Sequence, residues 1–243
     1  VVGGTRCART ALRMPLRGCV PLRRDGVCCT AAGFAVSFAP RGTARRAPTA
    51  ARRFEQPEDN DMGLERVPAG ANVPDEINVI IEIPKDAEPV KYEVDKASGA
   101  IFVDRVLSTP MRYPCNYGYV PRTLGGDGDP LDALVILPLP LVPGSVIRCR
   151  PVGMLRMTDE AGADEKLVVV PHAKIFAGYG HIADIGQVSG HWLERIGHFF
   201  EHYKDLEKGK WVKLEGWADA AAAKAEITAG VERYEATANK PAP

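Results

Sequence analysis

Asp127-Gly128-Asp129-Pro130-Leu131-Asp132 runs without a break into Ala133-Leu134-Val135-Ile136-Leu137, and Pro138 and Pro140 end that apolar run. An acidic turn held by Gly and Pro, feeding an apolar run that halts at proline, predicts a turn and then a short buried strand. Similar runs lie on either side. Upstream, Val79-Ile80-Ile81-Glu82-Ile83 ends at Pro84, and Ala100-Ile101-Phe102-Val103 comes after a turn at Ala97-Ser98-Gly99. Downstream, Val146 to Leu155 and Lys166 to Val170 are each bounded by Pro or Gly. Helical spacing enters only late: Trp192, Leu193, Ile196, Phe199, Phe200 and Tyr203 recur at three- and four-residue steps, ending near Lys208-Gly209. An Ala-rich segment from about Asp219 to Tyr234 reads as a second helix. Five short strands and then two helices predict a mainly β fold with flanking α (α+β), a five-stranded closed β-barrel with two C-terminal helices. Gly178, Gly180, Gly186, Gly190 and Gly197 crowd the approach to the first helix. Glycine costs about 1 kcal/mol inside a helix, so that helix is expected to begin late or to be loose.

The chain has 243 residues, 45% hydrophobic and 26% charged, which fits an ordinary globular protein. No run approaches the 18 or so apolar residues of a membrane span, so no membrane partner is expected. The zero net charge conceals a division. Of 31 basic and 31 acidic residues, positions 1–53 hold 11 Arg and the single acid Asp25, which leaves a net −10 on the remainder. An acidic body opposes a nucleic-acid partner, because Lys and Arg facing phosphates supply most non-specific affinity. Residues 1–61 show no lasting periodicity and read as a basic, disordered leader or a non-native upstream extension, with Met62 as the natural start and 62–243 as a single domain. Their Arg-rich, acid-poor composition also fits an organellar transit peptide. Cys115 and Cys149 are the body's two cysteines, too few for a disulfide framework. They read as buried small hydrophobes in a reducing compartment, which favours a cytoplasmic location, or an organellar one if residues 1–61 are a transit peptide.

Three carboxylates within the six residues 127–132 repel one another, and hard divalent cations are the usual remedy. An acidic surface turn is the bland alternative. An EF-hand is excluded, because the position that needs a bidentate Glu, the twelfth of a loop starting at Asp127, is Pro138. A second acidic group, Asp159-Glu160-Ala161-Gly162-Ala163-Asp164, lies between the fourth and fifth strands and is followed by Lys166. Glu82 sits on the first strand, and Lys91-Tyr92-Glu93 places Lys91 and Glu93 on one face of an extended chain. Arg105, the Tyr113-Pro114-Cys115-Asn116-Tyr117-Gly118-Tyr119 cluster and Tyr203-Lys204 interleave bases and phenols with these acids. Cations combined with Lys, Arg and Tyr donors are what a phosphate ester or anhydride requires. A GxxxxGK[ST] phosphate loop and a GxSxG elbow are both missing from the sequence.

Taken in order, these residues resemble the soluble inorganic pyrophosphatases of family I, in their bacterial form. The hexapeptide Asp127–Asp132 matches the family's Asp-x-Asp-Pro-x-Asp signature. The likeness extends through Lys91-Tyr92-Glu93, Asp104-Arg105, Tyr113 to Gly118, Met157-Thr158-Asp159-Glu160 and His198-Phe199-Phe200-Glu201-His202-Tyr203-Lys204. It spans about residues 64–235 and omits the basic head.

The resemblance implies Mg²⁺-dependent hydrolysis of inorganic pyrophosphate to two orthophosphates on an OB-like barrel, with several ions per site and Mn²⁺ or Zn²⁺ as substitutes. By position it gives Asp127, Asp132 and Asp164 a metal pair, Asp159 and Asp164 a further metal, and Glu82 and Glu93 the ordering of metal-bound waters. Asp129 becomes the general base with Tyr117 beside it. Lys91, Arg105, Lys166, Tyr203 and Lys204 grip phosphate, and Tyr113 lines the same pocket. It also implies a homo-oligomer, a hexamer, with His198 and His202 near a subunit interface. A charge count agrees: seven acids against Lys91, Arg105, Lys166 and Lys204 leave a net −3, a site that repels a polyanion until divalent cations arrive.

Overall fold

A computed structural model describes residues 63–96 and 98–238, so the readings for residues 1–61, the start at Met62 and Ala97 lie outside the described residues. In chain order the elements are β1 (Ile77–Ile83), β2 (Val90–Val94), β3 (Ile101–Val106), β4 (Asn116–Tyr119), β5 (Asp132–Val135), β6 (Val146–Asp159), β7 (Gly162–Ala163), β8 (Lys166–Pro171), α1 (Gly190–His202), β9 (Val212–Ala218) and α2 (Ala220–Ala238). Five strands close a ring in the order β1-β4-β5-β8-β6, with β6 returning to pair β1. All neighbours in the ring are antiparallel except β5 and β8, which run parallel and set Asp132 opposite Lys166. This is the OB-like, mainly β barrel with two late helices. Strands β7 and β9 hang on β6 outside the ring, and β2–β3 form a separate two-stranded hairpin.

The ring has five strands, as the sequence predicts, but they are not the same five. The strand expected over 100–103 is β3, which leaves the barrel for the hairpin, and β4 takes its place. The exchange reflects burial. On β3, Ile101, Phe102, Val103 and Val106 are exposed, whereas every residue of β4 is buried. Asn116-Tyr117-Gly118-Tyr119 carries no β-branched residue, so its strand character is hidden. Gly118 makes the pairing possible: a Cβ there would lie 1.9 Å from the carbonyl oxygen of Ile80 on β1.

Continuous apolar runs in the ring strands reflect burial on both faces. Leu134 and Ile136 join the cluster containing Ile196, Phe199 and Phe200 of α1, while Ala133 and Val135 join the one containing Ala223 and Ile227 of α2. Val168 and Val170 divide from Leu167 and Val169 in the same way. Helix α1 does begin late. Gly178 and Gly186 fall in short 3-10 turns (Ala177–Tyr179 and Ile185–Gln187), leaving Gly190 and Gly197 within the helix proper. It ends at His202, a turn earlier than the spacing implied. Cys115 and Cys149 are buried free thiols. Among the described residues no helix is long and apolar enough to cross a membrane.

Candidate active site

The acids gather at strand ends because that is where the ring opens. Asp132 is the first residue of β5, Lys166 the first of β8 and Asp159 the last of β6, while Asp164 comes directly after β7. Asp127 and Asp129 sit on the turn before β5, where Gly128 adopts φ +90°, a left-handed conformation that suits glycine. The backbone N–H of Asp129 donates to Asp127 Oδ1 at 3.0 Å, which folds the turn on itself. Glu82 comes from β1, Lys91 and Glu93 from β2, Arg105 from β3 and Tyr117 from β4. Tyr203 caps α1, and Lys204 is the next residue.

Every side chain singled out in the sequence as catalytic, metal-holding or substrate-holding lines one cavity of about 330 Å³: Glu82, Lys91, Glu93, Arg105, Tyr113, Tyr117, Asp127, Asp129, Asp132, Asp159, Asp164, Lys166, Tyr203 and Lys204. Lys96, Tyr119, Glu160 and Lys210 line it too, and the sequence reading gives them no role. Glu160 could have been found from its place in the 159–164 acidic group. Lys96 and Lys210 lie in ordinary-looking charged turns, and only the tertiary fold brings them to the rim.

The cations of the cavity have acidic partners. The Lys166 ammonium, 4% exposed as a residue, bridges Asp132 and Asp164. Burial alone would push its pKa down, but the two carboxylates outweigh that and hold it above the usual lysine value. Lys204 Nζ donates to Asp159 Oδ2 at 2.7 Å. Burial pushes Asp159 up, yet this bond, the Ala161 N–H and the Lys204 charge hold it below the ordinary range. Lys91 pairs with Glu93 and lies 3.4 Å from Asp104. Asp164 is raised, mainly by burial, with Lys166 opposing.

Glu82 stands apart. Burial pushes its carboxyl up to about 7, against the lowering effect of the Val94 N–H that donates to it at 2.8 Å; Asp132 and Glu93 add to the rise. Lys91 lowers it as well, but is the smallest of these influences. Burial also drives the Tyr113 and Tyr117 hydroxyls well above the usual phenol range, so both remain protonated donors. Tyr117 is hydrogen-bonded to Asp132. The Asp129 side chain is 79% exposed and has Lys96 Nζ 3.4 Å from its Oδ1.

The donor set fits hard divalent cations. It consists of carboxylate oxygens, with the Glu82 carboxyl raised by burial and Lys166 standing between two acids. Among the described residues no group of three His, Cys, Asp or Glu side chains converges as a ready cage. On α1, His198 and His202 have ring centroids 4.6 Å apart, and His202 Nδ1 is 2.9 Å from Asp205 Oδ2. Neither histidine lines the cavity.

Carboxylates that call for cations, beside ammonium, guanidinium and phenol groups suited to phosphoryl oxygens, define a hydrolase of phosphoanhydrides. Comparison with known proteins narrows this. The family model described as inorganic pyrophosphatase matches residues 79–235. The inorganic pyrophosphatase of Xanthomonas axonopodis pv. citri is 77% identical over 177 residues, covering 73% of this chain and 99% of that protein. The Escherichia coli K12 enzyme of the same name is 63% identical over 172 residues, 71% of this chain and 98% of that protein. The crystal structure of the Thermus thermophilus inorganic pyrophosphatase superposes with a TM-score of 0.68 at 45% identity, covering 71% of this chain and 99% of that one. The chain belongs to the inorganic pyrophosphatase family, metal-dependent enzymes that hydrolyse pyrophosphate to orthophosphate.

Proposed function

We propose that this cavity hydrolyses inorganic pyrophosphate to two orthophosphates with Mg²⁺, several ions per site, and that Mn²⁺ or Zn²⁺ can substitute. One observation carries the residue assignments: side chains spread from Glu82 to Lys204 line a single cavity at the mouth of the barrel. Asp127, Asp132 and Asp164 would hold a metal pair, Asp159 and Asp164 a further ion, and Glu82 and Glu93 the waters around them. Bound there, divalent cations lower the pKa of water and offset charge on phosphate oxygens.

The chain's own groups do the rest. Asp129, on the exposed turn, accepts the proton of the attacking water on a carboxylate oxygen. Lys91, Arg105, Lys166, Tyr203 and Lys204 hold the phosphate oxygens by charge and hydrogen bond. Tyr113 and Tyr117 donate from the back wall, and the Tyr117 hydroxyl keeps Asp132 oriented. Lys166 and Lys204, paired here with Asp132, Asp164 and Asp159, would be the ammonium groups available to phosphate where cations held those acids. Residues 62–243 form the catalytic domain. The chain is read as a homo-oligomer, a hexamer with His198 and His202 near a subunit interface, in the cytoplasm, where the free thiols Cys115 and Cys149 would stay reduced.

Phosphate release from pyrophosphate by the full chain, with and without Mg²⁺, tests the reading. Release should require the metal and fall by roughly 10² to 10⁴ in Asp129→Asn. A folded, Mg²⁺-loaded chain that releases no phosphate would overturn the function, and an Asp129→Asn variant of undiminished kcat would remove Asp129 as the base.

A further inference from the structure

Glu207, on the loop after α1, does not line the cavity but faces two cations that do. Its Oε1 lies 3.6 Å from Arg105 Nε, and its Oε2 lies 3.5 Å from Lys210 Nζ; the side chain is 13% exposed. Arg105 Nε and Glu207 Oε1 are both buried without a hydrogen-bond partner. Native structures leave few such atoms, because an unsatisfied buried donor or acceptor carries its full desolvation cost. Here a donor and an acceptor of opposite charge face each other just beyond bonding distance. A small shift of either side chain would close that bond.

The rest of Arg105 shows what such a bond would do. Its Nη1 donates to Asp104 Oδ2 at 3.1 Å, a neighbour on the same strand. Strand β3 pairs only with β2 in its sheet, so Asp104 ties Arg105 to the hairpin alone. Glu207 ties it to the part of the molecule that carries Tyr203 and Lys204. A guanidinium presents its donors in a rigid planar fork, so fixing the Nε edge fixes where the Nη edge points. With Nε toward Glu207 and Nη1 on Asp104, the Nη2 group is the one left for a phosphoryl oxygen.

We propose that Glu207 is a positioning residue: it anchors the Nε edge of Arg105 against the loop after α1, so that the guanidinium meets pyrophosphate in one orientation. The proposal rests on the reading that Arg105 grips substrate. Lys210, the other cation beside Glu207, is a bystander in it.

The test is steady-state hydrolysis of Mg²⁺-pyrophosphate by Glu207→Ala, Glu207→Gln, Arg105→Lys, Lys210→Ala and the doubles of Glu207→Ala with each of the last two. Glu207→Ala should raise KM about tenfold while kcat changes less than about threefold, since orientation is lost and the chemical groups remain. Glu207→Gln keeps an acceptor oxygen at the same reach and should recover KM to within about threefold of the parent. In the Arg105→Lys background Glu207→Ala should alter KM by less than about twofold, because lysine has no Nε–H to anchor; in the Lys210→Ala background the tenfold effect should persist. Thermal midpoints within about 3 °C of the parent separate this from a folding defect. If Arg105→Lys raises KM but its effect multiplies with that of Glu207→Ala, or if the effect disappears with Lys210→Ala, the positioning role is overturned and the grip of Arg105 stands. If Arg105→Lys leaves KM unchanged, the grip itself fails and the positioning role goes with it.

Discussion

The barrel and the β2–β3 hairpin both supply side chains to the cavity, yet they hold them by different means. Ring strands have a partner on each side and helices over their faces, so Glu82 and Lys166 are almost wholly buried. Hairpin strands have one partner each, and the outer face of β3 is open, with Phe102 57% and Val106 66% exposed. Of the seven acids, Glu82, Asp132 and Asp159 lie on ring strands, and Glu93 lies on the hairpin. Lys91 and Arg105 lie on the hairpin, which has fewer contacts to break when it adjusts.

The sharpest way to break this contrast is Gly118→Ala. A methyl group 1.9 Å from the Ile80 carbonyl forces β1 and β4 apart and opens the ring. A stability loss of about 4 kcal/mol or more is expected in urea unfolding, and a loss under about 1 kcal/mol would show that the ring tolerates separation. Next comes Lys166→Met, which strands Asp132 and Asp164 without their ammonium. Unfolding in EDTA should reveal a loss of about 3–5 kcal/mol.

Glu82 gives a pH signature of the barrel. Its folded-state pKa of about 7 lies above the ordinary 4.5, so the metal-free folded protein binds more protons than the open chain between those values. Stability should therefore fall as pH rises from 4.5 to 7, by on the order of 3 kcal/mol, with the full penalty present above 7. Glu82→Gln should flatten that slope in EDTA, and a slope unchanged by the substitution would assign it to other groups. At the small end, Phe102→Ser on the open face of the hairpin should shift stability by less than about 0.5 kcal/mol. A thermal midpoint lowered by more than about 5 °C would mean that the hairpin's outer face is packed as firmly as the ring.

The same division explains how much could be read in advance. Strands β1, β5 and β8 were legible because burial on both faces makes them near-continuous apolar runs, whatever lies opposite them. The acidic turn was legible because three like charges within six residues need an explanation inside a single turn. Strand β4 was not, since its strand character depends on Gly118 fitting under Ile80, a fact about a distant partner strand and not about local composition. Strand β9 was hidden too: Glu215 and Gly216 interrupt its alternation at the bulge opposite Arg156 and Met157. Lys96, Lys210 and Glu207 look like any charged turn residue until the fold brings them to the cavity or its cations.

The parallel register that sets Lys166 beside Asp132 has a consequence for how such a molecule comes into being. The chain carries its own counter-ion at the place where its negative charge is densest. An ammonium of the chain's own thus offsets two acids as the ring closes, so that making the polypeptide and supplying its metal can be separate events.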